Sequence, residues 1–373
     1  MAIKILQIIP NLFQGGAERL VLDICIELQK RSDISVKLVT FSNDNLYPSL
    51  SKEVDWEVVK VKGSISILRK RTLNVKPLQK IIEDYSPDVI HSHLFIAELY
   101  SHFCFYPKAK WFSHVHDNME QLKAFTLRTL LSKKSLTNFF ERCILQRQYN
   151  LNGGTTYISI SKHSDKYIEK HLPKYNRALL HNAISFNKFY IQRQRTSLTA
   201  LRIVNVGSLV TKKNQLLLLK VVKKLIQEKV DVSLVLVGDG VERKNLEDYA
   251  IKNQIERHVK FIGNTENVSG YLETANVYVH SAIYEPFGLV LLEAMASGLP
   301  VISLDGGGNS DILKNRENGF LIQENNEDLF VRQLKELMSD DHLYHLISQN
   351  GQNFARQFDI SKYVDQLLDI YQK

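Results

Sequence analysis

The sequence predicts an α/β protein built from two doubly wound, Rossmann-like domains. Its 373 residues exceed what one ordinary hydrophobic core holds. Strand-like and helix-like runs alternate, the β-α-β rhythm that gives parallel sheets. That rhythm breaks once, over a polar stretch at 187–199, and then restarts. A hydrophobic content of 44% and a charged content of 24% are those of a soluble globular chain.

In the first half, residues 3–9 are mostly apolar and read as a buried strand. A Gly15-Gly16 turn and a helix from 17 to about 31 follow. Residues 36–41 form a strand. Residues 76–85 form a helix that Pro87 ends, and 89–93, 110–115 and 157–161 are strands. In the second half, 202–207 is a strand, 214–229 a helix, and 232–237 a strand closing on Gly238-Asp239-Gly240. Then come a helix over 241–252, strands over 259–262 and 277–280, a helix over 287–296 and a strand over 300–304. The tail at 360–371 places Tyr363, Val364, Leu367, Leu368 and Tyr371 at helical spacing, so some other surface must cover that face. The expected boundaries are 1–186 for the first domain, 187–199 for the linker, 200–355 for the second domain, and 356–373 for a terminal helix.

The net charge of +8 favours anionic partners such as nucleotides or phospholipid surfaces. Nucleic acid is the least supported of these, because no RNP-type motif, zinc finger or helix-turn-helix signature is present. No apolar run approaches the roughly 20 residues that span a bilayer. The N-terminal apolar run is too short for a secretion signal. Cys25, Cys104 and Cys143 are odd in number and far apart. The expectation is a reduced, cytoplasmic protein without a zinc site, with a peripheral position on the inner face of the membrane as its extension.

Open α/β sheets bind ligands beyond the carboxyl ends of their strands. That rule selects 207–208, 238–240, 280–285 and 305–310 in the second half, and 11–16, 91–94 and 114–118 in the first. It points to a cleft between the domains. The densest of these segments runs from Glu285 through Pro286, Phe287, Gly288 and Leu289 to Glu293. Pro286 suits a first helical position. The N–H groups of Gly288, Leu289 and Val290 then become helix-end donors for an anion. Glu293 lies inside an all-apolar helix, where a buried carboxylate needs a partner. A nucleotide sugar fits: diphosphate at the helix end, ribose on Glu293, sugar hydroxyls on Glu285. Two glutamates paired with nearby Lys or Arg fit the same spacing equally well.

Other segments carry their own alternatives. Gln14-Gly15-Gly16-Ala17-Glu18 suits a ligand loop or an ordinary turn. In Gly207-Ser208-Leu209-Val210-Thr211-Lys212-Lys213, two lysines beside a helix start suit a phosphate or a solvated pair. His91 with His93, and His114 with His116, share strand faces and invite a metal. No H-E-x-x-H pattern or D-x-D supports that, and strand-end histidines more often serve as hydrogen-bond donors. Residues 123–147 carry Lys123, Arg128, Lys133, Lys134, Arg142 and Arg147 against Glu141, with interleaved apolar residues. Such a stretch lies on an anionic membrane or forms a solvated helix face.

Taken together, these residues resemble the retaining glycosyltransferases of family 4, which have the GT-B fold. The resemblance covers nearly the whole chain. Its most specific element is the E-x7-E pattern from Glu285 to Glu293, followed by Ala294-Met295-Ala296-Ser297-Gly298-Leu299-Pro300. Gly15-Gly16-Ala17-Glu18, His91-Ser92-His93, His116, Asn182, the 207–213 loop, 237–240 and Asn318-Gly319-Phe320 support it. The resemblance implies a donor held mainly by the second domain, an acceptor held mainly by the first, and a final helix crossing back to the first domain. It makes Glu293 the ribose ligand and Glu285 the carboxylate on the transferred sugar. Phe287, Gly288 and Leu289 supply backbone N–H groups to sugar and phosphate oxygens. Lys213 is the diphosphate lysine, His116 lies near the reacting sugar, and Gly15 and Gly16 approach the donor phosphates. Gly207 and Ser208 line the same pocket. Ser208 stands where the family usually has an arginine, and Ala183 where it often has a glycine.

The implied activity is transfer of a hexose-type sugar from a UDP- or GDP-linked donor to a glycan or lipid-linked acceptor in surface polysaccharide biosynthesis, without cofactor or metal. His116, Glu285 and Lys213 carry the chemistry. Front-face attack and double displacement both remain open as routes to retention. The rivals are a metal-dependent hydrolase using His91, His93, His114 and His116, a GT-B sugar-nucleotide epimerase, and a non-catalytic nucleotide-binding module on a membrane.

Overall fold

The computed structural model describes residues 2–13, 15–61, 73–123, 125–126, 132–193 and 198–373. Gln14 of the glycine loop, Leu127, Arg128, Leu130 and Leu131 of the basic stretch, and residues 194–197 of the linker lie outside the described residues. The chain forms two compact units, Met1–Asn182 with Ile360–Lys373, and Ala183–Asp359.

The first unit holds a seven-stranded sheet. In chain order its strands are β1 (Ile3–Ile9), β2 (Ile34–Thr40), β3 (Trp56–Val58), β4 (Val89–His93), β5 (Lys110–Val115), β6 (Thr156–Ser159) and β7 (Asn176–Leu179). They lie in the order β3-β2-β1-β4-β5-β6-β7, with parallel pairing. β1 is buried from Ile5 to Ile9 and β4 over its whole length. Helices cover both faces of such a sheet, which is why these strands read as near-continuous apolar runs.

The second unit holds a six-stranded parallel sheet. Its strands are β8 (Leu201–Val206), β9 (Val232–Val237), β10 (Val259–Gly263), β11 (Val277–His280), β12 (Val301–Leu304) and β13 (Phe320–Ile322). Their order is β10-β9-β8-β11-β12-β13. Its core joins Val277, Val279 and Ile302 to Leu218, Val222, Phe330 and Leu334 from the flanking helices. In both sheets the strand order reverses beside the first strand, between β1 and β4 and between β8 and β11. Those reversals open the crevices where such folds bind ligands.

The tail helix, Ile360–Gln372, packs on the first unit. Ile360, Tyr363, Val364, Leu367 and Tyr371 are buried. Arg31 pairs with Asp365 at 2.5 Å. Lys110 Nζ donates to the carbonyls of Tyr371 and Gln372 at 3.2 and 2.7 Å, which binds the helix C-terminus with a cation. The stretch before β8 belongs to the second unit through Arg193. Its guanidinium donates to the carbonyls of Ser297, Ala275 and Leu272 at 2.6, 2.8 and 2.5 Å.

Two expectations are corrected here. The helix expected over 287–296 is Leu289–Ala296, so Pro286 is not its first residue. Gly288 lies at φ 94°, in the left-handed region, and breaks the helical path. Before it, Glu285 N donates to the Gly306 carbonyl and Gly308 N to the Glu285 carbonyl, both at 2.8 Å, which holds residue 285 extended. Nor is that helix buried on every side. Leu291, Leu292, Ala294, Met295 and Ala296 are buried, whereas Leu289, Val290 and Glu293 are half-buried and share one stripe.

Candidate active site

The second unit gathers its candidate residues at the carboxyl ends of β8, β9, β11 and β12. Three backbones meet there without side chains between them. A Cβ on Gly238 or Gly240 would overlap the carbonyls of Gly207 and Leu209, and one on Gly308 the carbonyl of Pro286. Leu209 N donates to Asp239 O at 2.9 Å, and Gly207 N to Val237 O at 2.9 Å. Ile283 N donates to Lys212 O at 3.0 Å, and Ser281 Oγ to Lys213 O at 2.8 Å. The loop after β8 is thereby stitched to the loop after β11.

That stitching sets Lys213 against Glu285. Lys213 Nζ lies 2.5 Å from Glu285 Oε2, and His280 Nε2 lies 3.0 Å from the same oxygen. Glu285 is buried. Burial by itself would raise its carboxyl. The Lys213 ammonium and the His280 hydrogen bond outweigh burial and hold it at about 2. His280 is pushed down by burial, against the pull of Glu285. The Lys-pairing alternative left open by the spacing therefore holds for Glu285. Glu293 projects from the half-buried stripe of its helix. Ser208 is exposed, and the neighbouring Lys212 places its Nζ 5.5 Å from the Tyr284 ring centroid.

Phe287 is buried, with its ring centroid 6.2 Å from that of Phe358. Gly288 and Leu289 stand at the helix start. Asn309 braces the turn: its Nδ2 donates to Ser303 Oγ at 2.9 Å and to Leu304 O at 2.7 Å. Asn309 Oδ1 is buried without a partner among the described residues, 3.3 Å from where a Cβ on Gly288 would stand. Asn318 instead supports its own loop, donating to Ile312 O at 3.0 Å and accepting from Lys314 N at 2.8 Å.

In the first unit, Gly15 caps the helix Gly16–Gln29. Its N–H lies 3.1 Å from Tyr47 Oη, and its carbonyl accepts from the same hydroxyl at 3.0 Å. The Glu18 carboxyl folds back over Gly15, where a Cβ would clash with it. Burial raises Glu18 to about 7, with a partial offset from its backbone hydrogen bond. The Glu18 carboxyl thus already lies over Gly15, one of the two glycines expected to meet phosphate.

The histidines of β4 and β5 form one buried ladder. His91 and His114 stack at 5.1 Å between ring centroids, and His114 and His116 at 4.3 Å. Ring nitrogens of His91, His93 and His114 lie within 4.8 Å of one another, a spacing that could hold a metal. Five of their six ring nitrogens are engaged with other histidines, with Gln7 or with Tyr371, and His114 Nε2 is without a partner among the described residues. His93 Nδ1 meets His116 Nε2 at 2.9 Å, His93 Nε2 meets Gln7 Oε1 at 2.7 Å, and His91 Nδ1 meets Tyr371 Oη at 2.6 Å. Gln7 and Tyr371 were not among the sequence candidates. The helical spacing of Tyr371 showed that it is buried, but not against what.

Residues 14–187 match the family described as Glycosyltransferase Family 4, and 187–354 match Glycosyl transferases group 1. The chain belongs to this glycosyltransferase family. It is similar to an uncharacterized glycosyltransferase of Haemophilus influenzae, 34% identical over 165 residues, 44% of this chain and 47% of the relative. It is also similar to the UDP-Gal:alpha-D-GlcNAc-diphosphoundecaprenol alpha-1,3-galactosyltransferase of Escherichia coli, 31% identical over 170 residues, 44% of each chain. These matches span less than half the length of the curated relatives. Among solved structures, HepE of Anabaena in complex with UDP and glucose aligns over 100% of both chains with TM-score 0.79 and 20% identity. WaaG, a glycosyltransferase involved in lipopolysaccharide biosynthesis, aligns over 98% of this chain and 99% of its own, with TM-score 0.71 and 17% identity. The family 4 glycosyltransferase fold here is thus GT-B, two parallel-sheet Rossmann-like units.

Proposed function

We propose that this chain is a retaining glycosyltransferase. It moves a hexose-type sugar from a nucleoside-diphosphate sugar, UDP-linked in preference to GDP-linked, onto a glycan or lipid-linked acceptor in surface polysaccharide biosynthesis. The observation that carries this reading is the cluster in which half-buried Lys213 meets buried Glu285 and His280, beside the start of the helix that bears Glu293. Glu285 stays ionised and so accepts hydrogen bonds from sugar hydroxyls. Glu293, on the half-open stripe, accepts from the ribose. Negative charge grows on the leaving diphosphate, and Lys213 with the N–H groups at the helix start stabilises it. Lys212 adds a second charge in the same loop, where Ser208 replaces the family's arginine. These cations do the work a metal does elsewhere, which makes the reaction metal-independent. The transition state is oxocarbenium-like. Support for the donor comes from the UDP-bound neighbour and the UDP-galactose-dependent relative.

The test is a thermal-shift panel of nucleoside diphosphates and nucleotide sugars, with and without EDTA, repeated on Glu293→Ala. A chelator-insensitive rise for one nucleotide, lost in the variant, is the expected result. Stabilisation by divalent metal alone would favour the histidine-metal hydrolase. Conversion of the nucleotide sugar with no acceptor present would favour the epimerase.

A further inference from the structure

Glu285 takes both of its side-chain hydrogen bonds on one oxygen. Lys213 Nζ donates to Oε2 at 2.5 Å, and His280 Nε2 meets the same atom at 3.0 Å. Oε1 accepts from none of the described side chains, and 10% of the Glu285 side chain stays exposed. An ionised carboxylate only accepts, so His280 carries its proton on Nε2. Its Nδ1 faces Tyr278 Oη at 3.3 Å. The two contacts fix the ring between them. Turned over, it would set carbon atoms against both Oε2 and the hydroxyl.

The two donors respond differently to an incoming anion. Lys213 ends the short turn Thr211–Lys213, keeps 19% of its side chain exposed, and moves on a flexible four-carbon stem. His280 ends β11, keeps 2% of its side chain exposed, and is backed by the fully buried Tyr278. A diphosphate carries more charge than one carboxylate, so it draws Lys213 towards itself. As Lys213 turns, Glu285 loses its cation but keeps its neutral donor. Without that donor a buried carboxylate would turn away or take up a proton.

We propose that His280 is the positioning residue that keeps Glu285 in place when Lys213 engages the donor diphosphate, so that Oε1 stays free for the transferred sugar. This rests on the reading that Glu285 meets the sugar and Lys213 the diphosphate. Lys213, Tyr278, His280 and Glu285 all belong to the second unit. The consequence is a division of labour. Lys213 serves the nucleotide part of the donor, and His280 serves the sugar part alone. A histidine that merely filled the core would affect both parts alike.

Calorimetric titration of the full chain with UDP, UDP-glucose, UDP-galactose and UDP-N-acetylglucosamine tests this. The UDP-sugar that the wild type binds most tightly is the probe. The variants are His280→Gln, whose amide nitrogen reaches about as far as Nε2, and His280→Asn, whose amide reaches only as far as Nδ1. In His280→Asn the probe should lose about tenfold in affinity relative to UDP, the worth of one oriented hydrogen bond. UDP itself should stay within about twofold in both variants. His280→Gln should restore most of the loss. An unmoved ratio in His280→Asn, parallel weakening of UDP and probe, or equal losses in both variants would overturn the proposal. Selective 15N-histidine labelling of the wild type keeps the test open if His280→Asn fails to fold. The His280 Nε2–H signal, assigned by its absence in His280→Gln, should persist in the free and the UDP-saturated protein. Its loss on adding UDP would also overturn the proposal. Failure of the wild type to bind any of the four nucleotides would instead overturn the glycosyltransferase reading, and the proposal with it.

Discussion

At the scale of single residues, buried polar groups dominate. His102 is fully buried, stacks on Trp111 at 4.5 Å, and leaves both ring nitrogens without a partner among the described residues. Burial pushes it down to about 3. A group depressed in the folded state leaves stability intact above its unfolded pKa and removes it as pH falls. For His102 that loss begins near 6.5 and continues towards 3, because only the unfolded chain takes up the proton. His102→Phe should therefore raise the thermal midpoint, and by more at pH 5.5 than at pH 8. The extra term at pH 5.5 is on the order of 1 kcal/mol. Equal gains at both values would show that His102 titrates normally. Glu285 has the same sign but a lower window, losing its contribution as pH falls from about 4.5 through 2.

The Lys213–Glu285 pair gives a second residue-scale prediction. Lys213→Met strands a buried carboxylate whose remaining side-chain partner among the described residues is His280, at a cost of about 2–4 kcal/mol. Adding Glu285→Gln should recover most of that loss, because a neutral amide needs no cation. Urea denaturation of the two single variants and the double variant measures the coupling. Additive losses would mean that the pair is only a contact and not an energetic unit.

At the scale of elements, the turn before the helix Leu289–Ala296 is the sensitive point. A Cβ on Gly288 would stand 2.9 Å from Leu291 Cδ1, in a backbone region that disfavours side chains. Gly288→Ala should cost about 1–3 kcal/mol and weaken nucleotide binding together with stability. Calorimetric titration with UDP on the folded variant checks this. The tail helix is the other case. Its Leu367 is fully buried, and Leu367→Ala should cost about 2–5 kcal/mol. The loss should appear in unfolding of the first unit, although the residue lies at the far end of the chain.

At the scale of the whole molecule, the two tryptophans, Trp56 and Trp111, both belong to the first unit. Indole fluorescence therefore follows that unit, whereas far-ultraviolet dichroism follows both. A two-unit chain need not melt in one step. UDP should raise the dichroism transition that fluorescence does not see. A matching rise in fluorescence would place much of the binding energy in the first unit. Among the described residues no helix is long and apolar enough to cross a membrane. The basic stretch leaves Phe125 and Leu136 exposed, while Lys134 pairs with Glu120 at 3.0 Å and Arg142 donates to His171 O at 2.7 Å. If this face meets anionic lipid, the protein co-sediments with phosphatidylglycerol vesicles at low salt and is released at high salt. Failure to sediment would leave a solvated helix face.

The sequence by itself determined the alternation of strands and helices and their division into two Rossmann-like units. Periodicity and punctuation are local, and they sufficed for β1, β4, β5, β8, β9 and β11. The three-residue strands β3 and β13 escaped because a period cannot be counted over so short a run. The helix start at Leu289 was misplaced because Pro286 is locally suited to begin a helix. What displaced it was a pair of hydrogen bonds to the Gly306–Gly308 loop, some twenty residues on. Spacing alone left open whether Glu285 faces a ligand or a cation. The tertiary structure showed Lys213 against it because two loops are joined by backbone bonds. Gln7 and Tyr371 are 364 residues apart. Only the fold of the terminal helix onto the first sheet brings them to one hydrogen bond, and through it to the histidines.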